Sequence, residues 1–154
     1  MDLSSILRPA AVKVVANTSS KKRLFQDLGD IVASCYGLDS NMAFAALQAR
    51  ESLGPTGVGH GVALPHARLE GLQSVVGAFV RIEKPLDFEA VDRQPVDLVF
   101  ALFAPDGSGV DHLKALALVS RTMRNADIAA KLRANDDPDT LYTILIESQG
   151  TRAA

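Results

Sequence analysis

Gly57-Val58-Gly59-His60-Gly61-Val62-Ala63-Leu64-Pro65-His66-Ala67-Arg68 is the stretch on which the reading of this 154-residue chain turns. Three glycines at alternate positions make a turn whose backbone N–H groups can approach an anion closely and take φ > 0 at little cost. Val62–Leu64 then reads as a short apolar strand. Pro65 ends it, because proline fixes φ and has no N–H to give to a ladder. His66 stands just beyond that strand end. A neutral imidazole keeps a lone pair near pH 7, so a histidine held at a sheet edge can attack phosphorus.

The flanks decide between rival meanings of the glycines. Upstream, Asn17-Thr18-Ser19-Ser20 can cap a helix whose apolar face is Leu24, Leu28, Ile31, Val32 and Cys35, with Gly37 as its C-cap. Asp39 or Ser40 opens a second helix, which stops before Gly54-Pro55. The order at the glycines is therefore helix, glycines, strand. A dinucleotide fingerprint needs strand, glycines, helix, so a pyrophosphate would meet no helix N-terminus here. The Gly-Lys-[Ser/Thr] of a P-loop and the Gly-x-Ser-x-Gly elbow of a serine hydrolase do not occur in the sequence.

Further out, residues 2–8 open with a helical turn, and Val12–Ala16 is a β-branched strand. Val75–Ile82 is a strand, and Lys84–Phe88 a short edge strand with Pro85 at its start. Val96–Phe103 is an almost unbroken apolar run, the pattern of a central strand covered on both faces. Pro105–Gly109 is a loop. Helices follow at Leu113–Met123, at Ile128–Arg133, and from Asp137-Pro138, where Asp137 is N-cap and Pro138 the first helical residue. The order predicts an α/β fold, a mixed five-stranded sheet flanked by helices, in one domain over residues 1–148 with 149–154 as a flexible tail.

Composition narrows the classes. With 47% hydrophobic residues the chain can bury a proper core. A net charge of -2 with no basic block gives nucleic-acid binding no electrostatic support. No apolar run reaches the ~20 residues of a membrane span, and Met1–Arg8 lacks the regions of a signal peptide, so the expectation is a cytoplasmic protein without membrane insertion. The single cysteine, Cys35, forms no internal disulfide and reads as a buried inert thiol. His60, His66, His112 and Cys35 match no zinc spacing, so neither metal nor cofactor is expected.

Taken alone, the polar residues keep bland readings. His66 and His112 can be structural or surface histidines, and Arg50 can complement a helix dipole. The full run, however, resembles the active-site segment of the enzyme IIA proteins of the phosphoenolpyruvate phosphotransferase system, of the fructose/mannitol type, most like the nitrogen-regulatory group. That family carries a phosphohistidine in Gly-x-Gly-x-Gly-[Ile/Val]-Ala-[Ile/Val/Leu]-Pro-His. Arg50-Glu51-x-Leu53-Gly54 is similar to its Arg-Glu-x-Leu-Gly, and His112-Leu113-x-x-Leu116 to its His-Leu-x-x-Leu. The segment Asp87–Leu102 follows the regulatory pattern closely.

The resemblance implies the family's fold, with His66 as phosphoryl acceptor at Nε2, His112 as auxiliary and Arg50 as phosphate clamp. Thr56, Gly57 and Gly59 are expected to line the phosphate loop, His60 to be an exposed loop residue, and Arg68 to be an ordinary strand-end charge. It also implies a phosphocarrier, not a free-standing metabolic enzyme. The donor is an HPr-like (NPr) protein. The regulated partners are of the kind of sensor kinases, potassium-uptake proteins or stringent-response enzymes. The alternative is a sugar-specific IIA that passes phosphate to a IIB cysteine.

Overall fold

The strand Val96–Pro105 is the axis of the molecule, and its sequence says why. From Leu98 to Ala104 every side chain is buried. Such a strand reads as a continuous apolar run because both of its faces are covered. The computed structural model describes residues 1–107 and 109–153, with side chains as far as Ser148. A 3-10 turn at Leu3–Ser5 leads into β1 (Leu7–Val15), α1 (Lys21–Tyr36), α2 (Ser40–Glu51), β2 (Gly57–Gly59), β3 (Val62–Ala63), β4 (His66–Leu69), β5 (Val76–Leu86), β6 (Val96–Pro105), α3 (Gly109–Met123), α4 (Ala126–Arg133) and α5 (Pro138–Ala153). The sheet order is β1-β5-β6-β3-β2, and β4 also pairs with β6. β5 runs antiparallel to β6; β3 and β4 run parallel to it.

The sheet is mixed and flanked by helices, as the sequence implies, but it has six strands and not five. The first two differences share one cause, proline. Lys84–Phe88 is not a separate edge strand. β5 continues through Pro85 to Leu86, because pairing with β6 is irregular between Arg81 and Leu86 and no ladder bond needs the missing N–H. β1 begins five residues before Val12 and carries Pro9 for the same reason: its register against β5 shifts between Leu7 and Val12. The third difference concerns the glycine run. Gly57–Gly59 forms a short strand antiparallel to β3.

β3 and β4 are two pieces of one line of backbone. Val62 opposes Leu98, Ala63 opposes Val99, His66 opposes Leu102 and Leu69 opposes Pro105, with no slip in register across the gap. Pro65 makes the gap, since it has no N–H, but its carbonyl still accepts from the Leu102 N–H at 2.9 Å. The Leu64 N–H turns aside to the Thr56 carbonyl, also at 2.9 Å. His66 therefore does not lie beyond the sheet. It opens β4, held by the central strand.

The helices start and stop where capping chemistry dictates. Ser20 accepts from the Arg23 N–H, Asp39 from the Met42 N–H, and Asn125 from Asp127 and Ile128. Asp137 accepts from the Thr140 N–H. Gly37 closes α1 in the left-handed region at φ 75, where a side chain would be strained. Five phenylalanines, Phe25, Phe79, Phe88, Phe100 and Phe103, are fully buried. Phe79 packs edge-on to Phe100 and Phe25 edge-on to Phe88. Burial of each such ring is worth about 1.5–3 kcal/mol. Cys35 is half-buried at the edge of this core and not within it. Of the loop expected at 105–109, Pro105 belongs to β6 and Gly109 to α3, while Ser108 lies outside the described residues. Helical backbone of α5 covers 149–153 of the expected tail; Ala154 lies outside the described residues. Among the described residues no helix is long and apolar enough to cross a membrane.

Candidate active site

The unbroken register of β3 and β4 has a chemical result. With its N–H drawn to Thr56 and Pro65 following, Leu64 presents a free carbonyl to the ring two residues on. His66 Nδ1 lies 2.9 Å from the Leu64 oxygen. A carbonyl only accepts, so Nδ1 carries the proton and Nε2 keeps its lone pair. Arg50, in the last turn of α2, donates from Nε toward that Nε2 at 3.3 Å. Its Nη1 is tied to the Gly54 carbonyl at 3.0 Å, which fixes the guanidinium over the ring. Burial, joined by the positive charge of Arg50 and partly offset by the Leu64 hydrogen bond and Glu51, pulls the His66 pKa below the usual 6.5. The ring is neutral at pH 7, with its nucleophilic nitrogen facing a cation.

His112 enters from the first turn of α3 and meets the His66 ring edge to face, with centroids 5.7 Å apart. It is buried within the helix, not an exposed residue before it. Arg68 Nε points at its Nδ1 from 3.4 Å. That contact makes Nδ1 the acceptor and places the proton on Nε2. His112 Nε2 is buried and has no hydrogen-bond partner among the described residues. A buried donor left open costs about 1–3 kcal/mol, so it marks a place where an acceptor belongs. Burial, then the neighbouring His66 and Arg68, lower the His112 pKa as well.

These four side chains line an open cleft of about 420 Å³, whose remaining wall is the apolar Ala46, Ala49, Leu53 and Ala67. No carboxylate lines it. Two guanidinium groups, two neutral imidazoles and one vacant N–H donor suit a small dianion such as a phosphoryl group. Among the described residues no group of three or more His, Cys, Asp or Glu side chains is arranged to hold a metal ion.

The fold thus brings His66, His112 and Arg50 together but leaves Thr56, Gly57 and Gly59 elsewhere. Thr56 is buried and gives both its N–H and its hydroxyl to the Glu51 carboxylate, which Lys21 pairs at 3.0 Å. Gly57 is pressed against Ala90 and Phe88, and Gly59 faces Asp92. The reason is local: β2 folds back on β3 away from the Pro65 end, so its N–H groups serve the sheet. His60 is exposed, at φ 56, with its N–H on Asp92. Arg68 is the residue that sequence reasoning undervalued. Strand periodicity would have found it, because residues two apart in a strand share a face, but only if His66–Leu69 had been read as a strand.

Comparisons with known proteins identify the family of the chain. Residues 5–148 match the family model described as phosphoenolpyruvate-dependent sugar phosphotransferase system, EIIA 2. A nitrogen regulatory protein of Bradyrhizobium diazoefficiens is 44% identical over 99% of this chain and its own full length. A fructose-specific EIIA component of Haloferax volcanii is 30% identical over 95% of this chain and 96% of its own. The crystal structure of nitrogen regulatory protein IIA-Ntr from Neisseria meningitidis superposes with a TM-score of 0.85 at 34% identity, covering 92% of this chain and 97% of that one. The chain belongs to the EIIA 2 family of the phosphoenolpyruvate-dependent phosphotransferase system, and within it is similar to the nitrogen regulatory proteins.

Proposed function

We propose that the chain is a phosphohistidine carrier that accepts a phosphoryl group on His66 Nε2 from an HPr-like protein and regulates partner proteins according to its phosphorylation state. The observation that carries the reading is the hydrogen bond from His66 Nδ1–H to the Leu64 carbonyl, which leaves Nε2 as the free nucleophile beside Arg50. In the transfer, the Nε2 lone pair forms the new P–N bond while the P–N bond to the donor histidine breaks and its electron pair returns to that ring. The proton stays on Nδ1, donated to the Leu64 carbonyl, so no proton has to move. Arg50 and the open His112 N–H stabilise the equatorial oxygens. Neither metal nor cofactor takes part, and the setting is cytoplasmic.

The surroundings fit a transient protein donor. Leu53 in the cleft wall is 83% exposed, and Val110 and Leu113, in the same turn as His112, are 66% and 67% exposed. Exposed apolar residues around a charged centre form a small docking patch suited to a short-lived complex. The 30% identity to a fructose-specific component supports the sugar-specific alternative, with a IIB cysteine as acceptor; the higher identity to a nitrogen regulatory protein favours regulation. The test is phosphoryl transfer from phosphoenolpyruvate through enzyme I and an HPr-like carrier, read by intact mass beside His66→Ala. One acid-labile phosphate on wild type alone supports the reading. Stoichiometric phosphate on His66→Ala removes it.

A further inference from the structure

The histidine cleft is not the only sizeable cavity among the described residues, and a second one is larger. A cleft of about 620 Å³ opens between the β2–β3 turn and the helices α3 and α4. Its apolar wall includes Val58, Val62, Leu64 and Met123. No acidic side chain lines it, although the chain as a whole is net negative. Two arginines do. Arg133 spends Nε and Nη2 on Asp97 and on the His60 carbonyl, which leaves its Nη1 without a bond among the described residues. Arg124 is exposed, and its guanidinium makes no hydrogen bond or ion pair among the described residues.

A volume of this size, mostly apolar with a few convergent polar groups, is that of a site for a small organic molecule. We propose that this cleft binds a small amphipathic carboxylate, its apolar body between β3 and α4 and its carboxylate on the Arg124 guanidinium and the free Nη1 of Arg133. A guanidinium takes a carboxylate by two parallel N–H donors, and an apolar wall without carboxylates sets no repulsion against it. Leu64 borders both sites, lining this cleft and giving its carbonyl to His66, but the arginines that define this one stand apart from the phosphoryl centre. His112 and Met123 stand eleven residues apart on α3, about 16 Å at helical rise. Neither arginine has a part in phosphoryl transfer, so the two proposals fail independently.

The probe is 4-phenylbutyrate, with 4-phenylbutyramide as its uncharged counterpart, titrated into the ¹⁵N-labelled full chain. Saturable amide shifts confined to 58–64 and 120–133 are expected, with the carboxylate binding about tenfold tighter than the amide. Arg124→Ala, at an exposed position, should remove most of that preference and leave the amide's affinity alone. Ala130→Trp should fill the cleft and abolish both; retained dispersion of the spectrum shows that the variant is folded. Absence of saturable shifts up to 20 mM (about the weakest affinity worth calling a site), equal affinity for the two probes, or shifts centred on Arg50 and His66 would each overturn the proposal.

Discussion

Replacing Arg50 by alanine tests the geometry most directly. The guanidinium lies 3.3 Å from Nε2 of His66, the proposed acceptor nitrogen, and it is tethered at 3.0 Å to the Gly54 carbonyl. In the proposed transfer it would supply at least one charge-assisted hydrogen bond to an equatorial oxygen. Donors of this kind are worth about 2.7–4 kcal/mol in sites closed to water. This cleft is open, so a smaller figure of about 2–3 kcal/mol applies, which is a rate loss of about 30- to 160-fold. Loss of the tether to Gly54 costs stability about 1 kcal/mol. Arg50→Lys keeps the charge but not the planar fork, and should fall between the two. The assay is single-turnover transfer from a phosphorylated HPr-like protein, quenched in base and counted, with thermal denaturation of each variant alongside. A folded Arg50→Ala protein that accepts phosphate within threefold of the wild-type rate (far below the ~30-fold minimum worked above) would refute the role of this guanidinium.

Three further outcomes are expected. His112→Ala should slow transfer by about tenfold, one neutral hydrogen bond, while also relieving the unpaired buried N–H, so its thermal stability should hold or rise; a variant as fast as wild type means the open donor is not used. Gly57→Ala should destabilise the fold by about 1–3 kcal/mol, since a Cβ there would stand 2.7 Å from Ala90 Cβ, yet a folded sample should accept phosphate at nearly the wild-type rate; a selective loss of transfer would return Gly57 to the phosphate site. Both site histidines have pKa values below the unfolded value of 6.5. The unfolded chain therefore binds more protons in that window, so their contribution to stability is full above about pH 6.5 and is lost as pH falls toward their folded values. Proton NMR titration of the imidazole Cε1–H signals checks this directly, and midpoints above 6.5 contradict it.

Much of this was legible in the chain because the decisive signals are local. Capping by Ser20, Asp39 and Asp137, the αL glycine at 37 and the apolar run of β6 are each written within a few residues. What escaped was set by partners distant in sequence. Pro85 reads as the start of a separate strand, and the first strand reads as opening only at Val12, after Pro9, yet both prolines fall at register shifts that only the neighbouring strand defines. His66–Leu69 has no strand signature of its own and becomes one by lying along Leu102–Pro105. With it went the face shared by His66 and Arg68. Conversely, Thr56 and the glycines are close to His66 in sequence, and that closeness suggested a phosphate loop. Glu51 and Ala90, which claim Thr56 and Gly57, are not visible from the run itself.

The placement of His66 in a strand, not on a loop, bears on how a signal could leave this protein. β4 is hydrogen-bonded along its length to the most buried strand of the sheet. A phosphoryl group on Nε2 would add about two negative charges outside that frame and ask no ladder bond to break. Hinges and order–disorder segments, the usual amplifiers of a covalent mark, are missing at the point of marking. Information of this sort is carried as surface potential and volume, with the message legible only to whatever is already in contact. Any number of recipients could then evolve against one unchanged sender, each by shaping its own surface to welcome or refuse the dianion.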